Sequence, residues 1–555
     1  MRPKKDLSRI EKPSSRRDFL ASGLRASAAS LALTTFSHMS SANACEPAPD
    51  VPSFELDEVT IAELQEGLHS GKFASRGLVN RYLARIAAID KAGPAINAVI
   101  ELNPEALGIA DSLDAERKSK GPRGPLHGIP VLIKDNIGTA DRMMTTAGSL
   151  ALSGFAPAQD SAVARRLRQA GALILGKTNL SEWANFRSSH SSSGWSGRGG
   201  QTRNPYALDR NPSGSSSGSG AGVSANLCSI AVGTETDGSI VSPSSANGIV
   251  GIKPTVGLIS RAGIIPISHS QDTAGPMCRT VTDAAILLGA LAGPDPADPA
   301  TAAPGAKFFS DYTQFLDPKG LQGARIGVLR KTFDFTETVA PVFNAALDAM
   351  RDAGAVLVDV EIPSIGKFDN SELEVLLYEF KADLNAYLAA IGPKSPVNSL
   401  QELIAFNERN RDRELPYFGQ DLFERAQAKG PLTDKAYQEA LAQNHRLART
   451  DGIDAVMDQS RLDAIAAPTS GPAWLTDLVD GDHDTGATSS LPAVAGYPNI
   501  HVPAGFVFGM PVGVSFFGRA WSEPQLIRIA FAFEQATRAR RPPRFFPTAS
   551  LQLPS

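Results

Sequence analysis

Apolar positions along this chain fall into two kinds of pattern. Short runs such as Val131 to Ile133, Ala172 to Leu175, Ile230 to Val232 and Ile326 to Leu329 carry no polar alternation, as strands buried on both faces do. Helical spacing fills the segments between them, and that alternation predicts a sheet covered by helices, an α/β arrangement. Helical patterns also open and close the chain. Thr60-Ile-Ala-Glu63 has the spacing of a capping box and leads into an amphipathic run to about Ile89. Glu523 to Arg540 reads as a terminal helix with a basic last turn. The stretch from Asn370 to Asp454 differs, being rich in helix formers and interrupted at Gly392, Gly419 and Gly430. It predicts a helical segment packed over the sheet edge that shapes a pocket.

Composition changes this picture mainly at the start of the chain. Ser15-Arg-Arg-Asp-Phe-Leu20, the mildly apolar Ala26 to Phe36 and the small residues Ala42-Asn-Ala44 have the layout of a twin-arginine export signal, cleaved before Cys45. The expectation is a periplasmic or secreted protein, residues 45–555, whose first partner is the twin-arginine export machinery. The apolar stretch is too short to span a bilayer, so no stable membrane insertion is expected. Cys45 raises a lipid anchor, but Ala42 stands where a lipobox has leucine. The first 44 residues hold eight Lys/Arg against three Asp/Glu, so their removal takes the net charge from −4 to −9. An acidic body argues against nucleic-acid partners. Only Cys228 and Cys278 remain besides Cys45, too few for a disulfide framework. Neither Cys-x-x-Cys nor His-Glu-x-x-His occurs and the eight histidines are scattered, so no metal site is expected.

Candidate chemistry gathers where the apolar pattern breaks. Ser213-Gly-Ser-Ser-Ser-Gly-Ser-Gly220 and Gly233-Thr-Glu-Thr-Asp-Gly-Ser-Ile240 are polar, glycine-rich turns on either side of the apolar stretch Ala225 to Val232. The second follows a predicted buried strand, so it presents a serine hydroxyl beside its own backbone N–H groups. The first has glycines enough to allow unusual backbone, including a cis peptide. Some eighty residues upstream, Lys134 closes the apolar run Pro130-Val-Leu-Ile133. Such residues can cleave an amide without a histidine.

With these blocks the chain resembles the amidase signature family. It carries the Pro125-Leu-His-Gly-Ile-Pro130 strand ending in Lys134-Asp-Asn136, the serine-glycine block and the Gly-Thr-x-x-x-Gly-Ser-Ile turn. Further blocks follow in order, among them Leu175-Gly-Lys-Thr-Asn-Leu-Ser-Glu-Trp183, Gly251-Ile-Lys-Pro-Thr255, Asp272-Thr-Ala-Gly-Pro276, Ala467-Pro-Thr469 and Gly509-Met-Pro-Val-Gly513, so about residues 60–542 are covered. Within the family it looks most like the peptide amidases, which remove C-terminal amides, through Ser181-Glu-Trp-Ala-Asn-Phe-Arg187, Arg198-Gly-Gly-Gln-Thr-Arg-Asn-Pro-Tyr206 and Leu376-Leu-Tyr-Glu-Phe-Lys381. The resemblance implies one large α/β domain with a central mixed sheet covered by helices, a small-molecule or peptide amide as substrate, and no cofactor. It implies Ser239 as nucleophile, Ser215 as proton bridge and Lys134 as base, with the oxyanion held by backbone N–H groups of Thr236, Asp237, Gly238 and Ser239. A lysine accepts a proton only when neutral, and bringing it from about 10.4 to near 7 costs roughly 4–5 kcal/mol, which burial must supply. Trp183, Trp195, Tyr378 and Phe418 are expected to line the substrate channel. The chain departs from the family at Asp237, Ser213 and Ser217, which replace glycines, and at Val241, which replaces an arginine. The last puts an ion pair from Glu235 in doubt.

Two other motifs compete. Gly171-Ala-Leu-Ile-Leu-Gly-Lys-Thr178 fits the phosphate-loop pattern, but its variable positions are all apolar and read as a strand. Gly214-Ser-Ser-Ser-Gly218 fits a nucleophile elbow, which would make Ser216 the nucleophile with His445, His483 or His501 as base. Three other activities stay open: an amidase for aryl, acyl or fatty amides, an ammonia-supplying amidotransferase subunit, and a non-catalytic periplasmic amide- or peptide-binding protein.

Overall fold

A computed structural model describes residues 49, 51–330, 337–392 and 395–550. The export signal and the cleavage point before Cys45 lie outside the described residues. The strands in the first half are β1 (Val99–Leu102), β2 (Pro130–Lys134), β3 (Leu173–Thr178), β4 (Trp195–Ser196), β5 (Gly200–Gln201) and β6 (Ile230–Glu235). They continue with β7 (Val250–Lys253), β8 (Thr273–Cys278), β9 (Arg325–Val328), β10 (Val356–Asp359), β11 (Ala464–Pro468), β12 (Asn499–Val507) and β13 (Met510–Phe517). Among the described residues, eleven of these form one sheet in the order β1-β3-β2-β6-β8-β7-β12-β13-β11-β9-β10, while β4 and β5 pair separately.

The sheet is mixed. β3, β2 and β6 run parallel, as do β11, β9 and β10, and the strands between them are antiparallel. Every residue of β2, β3, β6, β7, β8, β11 and β13 is buried. This explains why the runs read as continuous rather than alternating: helices such as Val281–Leu291 and Glu523–Thr537 cover the sheet in one apolar cluster. The fold is therefore the single α/β domain that the sequence led us to expect.

Two helical boundaries differ from the sequence reading. The Thr60 capping box forms, but the helix stops at His69, and a second runs Ser75–Arg85 before a π-turn, Ile86–Asp90. Gly71 takes φ +78 at the break, and the Phe73 N–H folds back onto the Gly67 carbonyl at 2.8 Å. The terminal helix ends at Thr537, so Arg538 and Arg540 lie beyond its last turn. Arg540 is held by Glu58 at 2.7 Å, a long-range tie that no local pattern reports.

The region from Asn370 to Asp454 is helical. It contains Asp369–Ile391, Leu400–Arg409, Arg411–Glu414, Asp421–Gln427, Lys435–His445 and the π-turn Arg446–Ile453, with Gly392, Gly419 and Gly430 all between helices. Only its last turns reach an edge strand, where Leu447, Ala448 and Ile453 cluster with Val358 of β10 and with Val360. Leu377, Phe380, Leu384, Leu403 and Phe423 pack on Leu152, Trp183, Phe186, Ile265 and Ile267, in the loops that follow β2 and β3 and precede β8. Those loops are apolar on their outer side, so burial draws the helices there.

Candidate active site

The site forms where the parallel strands β2, β3 and β6 end, the usual place for a ligand crevice in such sheets. Lys134 is the last residue of β2 and is fully buried. Its Nζ donates to Ser215 Oγ at 2.7 Å, to Thr234 Oγ1 at 2.9 Å and to the Thr234 carbonyl at 3.2 Å. Burial pushes its pKa down to about 7, against the opposing pull of the Asp272 and Glu235 carboxylates. Burial thus works in the direction the sequence reading required of a base, toward the neutral amine.

The serine-glycine turn brings Ser215 over β6. The helix it leads into, Ser217–Ser224, consists of small residues only and lies buried against the strands. A Cβ on Gly218 would sit 2.2 Å from the Ala98 carbonyl, so a larger residue there would lift the helix and the turn away. The Gly214–Ser215 peptide is cis. Ser213, one of the departures from the family, takes φ +59, and Ser217 Oγ donates to its carbonyl at 2.6 Å.

The second turn docks on the first. Ser216 N–H donates to the Ser239 carbonyl at 3.1 Å. The Ser239 hydroxyl makes no hydrogen bond among the described residues, including none to Ser215 Oγ, and its side chain remains slightly exposed. None of the backbone N–H groups of Thr236, Asp237, Gly238 and Ser239 donates a hydrogen bond among the described residues either. Four successive free donors beside a free hydroxyl can receive an oxyanion. The substitution at Asp237 leaves this backbone intact, because the left-handed position is Gly238, at φ +74. Asp237 caps the turn through Ser490 Oγ at 2.6 Å, and burial raises its pKa.

Val241 leaves Glu235 without an arginine, and backbone takes its place. The Glu235 carboxylate accepts from the N–H groups of Ile240 at 2.7 Å and Val241 at 3.0 Å, at the start of the helix Val241–Ala246. Burial raises its pKa, against the opposing pull of the Lys253 ammonium.

A cavity of about 330 Å³ opens beside this constellation. Its wall includes Asn136, Thr234, Thr236 and Asp272 on the strand side and Asp383, Ala386 and Tyr387 on the helical side, with Ile264, Ile265 and Ile267 between them. Lys134, Ser215 and Ser239 are not on this wall; the cavity reaches them through Thr234 and Thr236. Asp272 accepts from Thr236 Oγ1 at 2.6 Å and from the N–H groups of Ile267 and Ser268, and burial pushes its pKa up to about 6. Sequence reading passed over Asn136, Thr234 and Asp272 although all three stand inside the quoted blocks. Nothing local marks Tyr387.

Of the four aromatic residues expected on the channel, Trp195, Tyr378 and Phe418 pack against other side chains, while Trp183 borders the cavity region. Trp183 is buried edge-on to Phe423. Trp195 and Phe418 pack edge-on to each other with the Arg187 guanidinium 5.3 and 4.2 Å from their rings, and Arg187 is itself paired with Glu182. Tyr378 lies against Tyr437 and donates to Asp434 at 3.2 Å. None of the four is on the wall of this cavity, but Trp183 lines a small adjoining pocket together with Asn136, Ala184, Ile265 and Ile267, residues that the two share.

The competing motifs meet specific obstacles. Ser216 is fully buried, and its hydroxyl donates to the Thr234 carbonyl at 3.0 Å while accepting from the Thr234 N–H at 3.2 Å. Among the described residues it touches no histidine: His501 is bonded to Thr469, and His483 lies beside Asp477. The phosphate-loop match is strand β3, with Lys177 buried and donating to Thr145 at 2.9 Å. His269, Glu379 and Asp383 lie close enough to share a cation. However, Glu379 already accepts from Ser268, Ser270 and Tyr437, so this is a hydrogen-bonded clasp between a loop and a helix.

Known proteins resemble this chain over most of its length. The amidase family model matches residues 77–527. The native peptide amidase of Stenotrophomonas maltophilia superposes with a TM-score of 0.86 at 54% identity, covering 89% of this chain and 100% of that one. A protein of Arabidopsis thaliana described as "Probable amidase" is 46% identical over 504 residues, 89% of this chain and 93% of its own. A glutamyl-tRNA(Gln) amidotransferase subunit from Halorhodospira halophila is 34% identical over 508 residues, 87% of this chain and 98% of its own.

Proposed function

The chain belongs to the amidase family and is a hydrolase of amide carbon–nitrogen bonds, and from that premise we propose that it removes terminal amides of peptides or amino-acid derivatives through an acyl-enzyme on Ser239. The observation that carries this reading is the 2.7 Å contact of a fully buried lysine, with a pKa brought down to about 7, on Ser215 beneath the Ser239 turn. A neutral Lys134 takes the Ser215 proton as Ser215 takes that of Ser239, so that Ser239 Oγ attacks the amide carbon. The oxyanion forms against the N–H groups of Thr236, Asp237, Gly238 and Ser239, donors of a kind worth roughly 2.7–4 kcal/mol each. The proton then returns by the same path to the leaving nitrogen, ammonia departs, and water repeats the sequence to release the acid. The route needs no cofactor.

Likeness to the Stenotrophomonas peptide amidase favours peptide amides over aryl, acyl or fatty amides. Likeness to the Halorhodospira amidotransferase supports a second reading, ammonia transfer inside the cell. The twin-arginine layout of residues 1–44 favours a periplasmic or secreted enzyme instead. Ammonia release from a panel of peptide amides, amino-acid amides, anilides and fatty amides tests the substrate, with peptide amides expected to lead. A fluorophosphonate adduct should map to Ser239 by mass spectrometry; an adduct on Ser216 would overturn the mechanism. Replacing Arg16 and Arg17 by lysine should leave the precursor inside the cell, and normal export of that variant would refute the export route.

A further inference from the structure

Lys134 makes two of its three hydrogen bonds to a single residue. Thr234 meets its Nζ with the hydroxyl at 2.9 Å and with the backbone carbonyl at 3.2 Å, while Ser215 Oγ stands at 2.7 Å. An ammonium has three N–H groups and no lone pair, whereas a neutral amine has two N–H groups and one lone pair. The distinction matters because only a lone pair directed at Ser215 can take its proton.

A carbonyl oxygen can only accept, so one N–H of the neutral amine is committed to the Thr234 backbone. The Thr234 hydroxyl is constrained by a second donor, since Asn136 Nδ2 reaches the same Oγ1 at 2.9 Å. Its two lone pairs are then taken by Asn136 and Lys134, and its own proton points in the remaining direction, away from both. Asn136 is itself 3% exposed, and this is the only hydrogen bond its side chain makes among the described residues. We propose that Thr234 is a positioning residue for the amide-cleaving site: it takes both N–H groups of neutral Lys134 and leaves the lone pair facing Ser215. This rests on the reading of Lys134 as the base. Without the Thr234 hydroxyl, the amine can turn and offer Ser215 an N–H instead.

The proton count also sets a direction for the pH profile. Lys134 feels the carboxylates of Asp272, in the loop entering β8, and Glu235, at the end of β6. Thr234→Val leaves both in place and deletes one acceptor. The ammonium form then has three N–H groups for two acceptors, whereas the amine form still satisfies both of its own. The variant should therefore titrate at lower pH while working more slowly.

The test compares Thr234→Val, Thr234→Ser and Lys134→Ala with the parent enzyme on a peptide amide, after titrating active sites with a fluorophosphonate. In Thr234→Val, kcat should fall by about 10-fold or more with KM changed less than about 2-fold, and the acid limb of the kcat profile should move to lower pH. Thr234→Ser should recover most of the parental kcat and the parental acid limb. If Thr234→Val keeps the parental kcat and pH profile while Lys134→Ala is inactive, the positioning role is refuted and the base assignment stands. If Lys134→Ala is active, the base assignment fails as well. Should Thr234→Val not fold, Asn136→Ala releases the Thr234 hydroxyl without touching Lys134. A lower kcat with a displaced acid limb would then support the proposal, and an unchanged profile would overturn it.

Discussion

On the strand side of the cavity, Lys134, Ser215, Ser216 and Thr234 are almost wholly buried, and their polar atoms bond one another across two turns and two strands. On the helical side, Ala386 and Tyr387 face the cavity beside the Asp383 carboxylate, and the helix is seated through Leu377, Phe380 and Leu384. The strand side is held by directional bonds at strand ends that eleven strands support; the helical side combines apolar packing with a few hydrogen bonds, chiefly those of Glu379 and Asp383 to the loop before β8. Chemistry that tolerates little displacement is thus built on the rigid layer, and the surface that meets a variable substrate is built on a layer that can be repacked.

Breaking the strand side should have the largest effect. Ser239→Ala and Lys134→Arg should each lower kcat by roughly 10⁴-fold or more in an ammonia-release assay, with circular dichroism and thermal midpoint near those of the parent. Arginine keeps the charge and cannot deprotonate, so substantial activity in Lys134→Arg would mean that Lys134 serves by charge rather than by accepting a proton.

On the helical side the corresponding weak point is structural. Arg187 is fully buried and pairs with Glu182, while its guanidinium lies over Phe418 and Trp195. Arg187→Ala leaves Glu182 and Glu414 buried without a cation, and unfolding in denaturant should show a loss of about 3–5 kcal/mol. The kcat of the surviving folded enzyme should change little. A stability near the parental value would mean that the helical layer does not depend on this pair.

The pH profile sharpens the comparison. The base works when neutral, so activity should be low below the Lys134 pKa of about 7, rise through it and stay high in alkali. Asp272, charged at neutral pH, favours the ammonium form. Asp272→Asn should therefore lower the Lys134 pKa and move the acid limb to lower pH by about half to one unit. A shift to higher pH would exclude Lys134 as the titrating group.

The smallest effect should come from Tyr387→Ala, which opens the apolar wall. KM for bulky peptide amides should change by about 10-fold, the size of one lost apolar contact, with kcat changing less. Labelling of Ser239 by a small fluorophosphonate should continue at nearly the parental rate. Equal losses in labelling and turnover would place Tyr387 in the chemistry rather than in substrate fit.

Short-range physics makes much of this protein legible from its residues alone. The unalternating runs at Val131, Ala172, Ile230 and Ile326 became β2, β3, β6 and β9, because burial on both faces leaves no polar position in a strand. The capping box at Thr60 and the glycine breaks at Gly392, Gly419 and Gly430 held for the same local reason. The two polar turns and Lys134 could be picked out because serine, glycine and a lone lysine stand out against apolar neighbours.

Other features depended on parts of the chain far apart. Ser215 lies 81 residues and Thr234 100 residues from Lys134, and sheet register, not spacing, brings them within hydrogen-bond reach. That Ser216 is committed to backbone was decided by its hydroxyl meeting both backbone polar groups of Thr234. Trp195, Tyr378 and Phe418 have the composition of a binding channel, yet Trp195 and Phe418 pack on Arg187 and Tyr378 on Tyr437, contacts that no local pattern reports. By itself the sequence determined the elements, the turns and the reactive groups, since those follow from propensity and periodicity over a few residues. Only the tertiary structure decided which of those groups touch and which face the cavity, because contacts across a hundred residues are selected by the packing of the whole sheet.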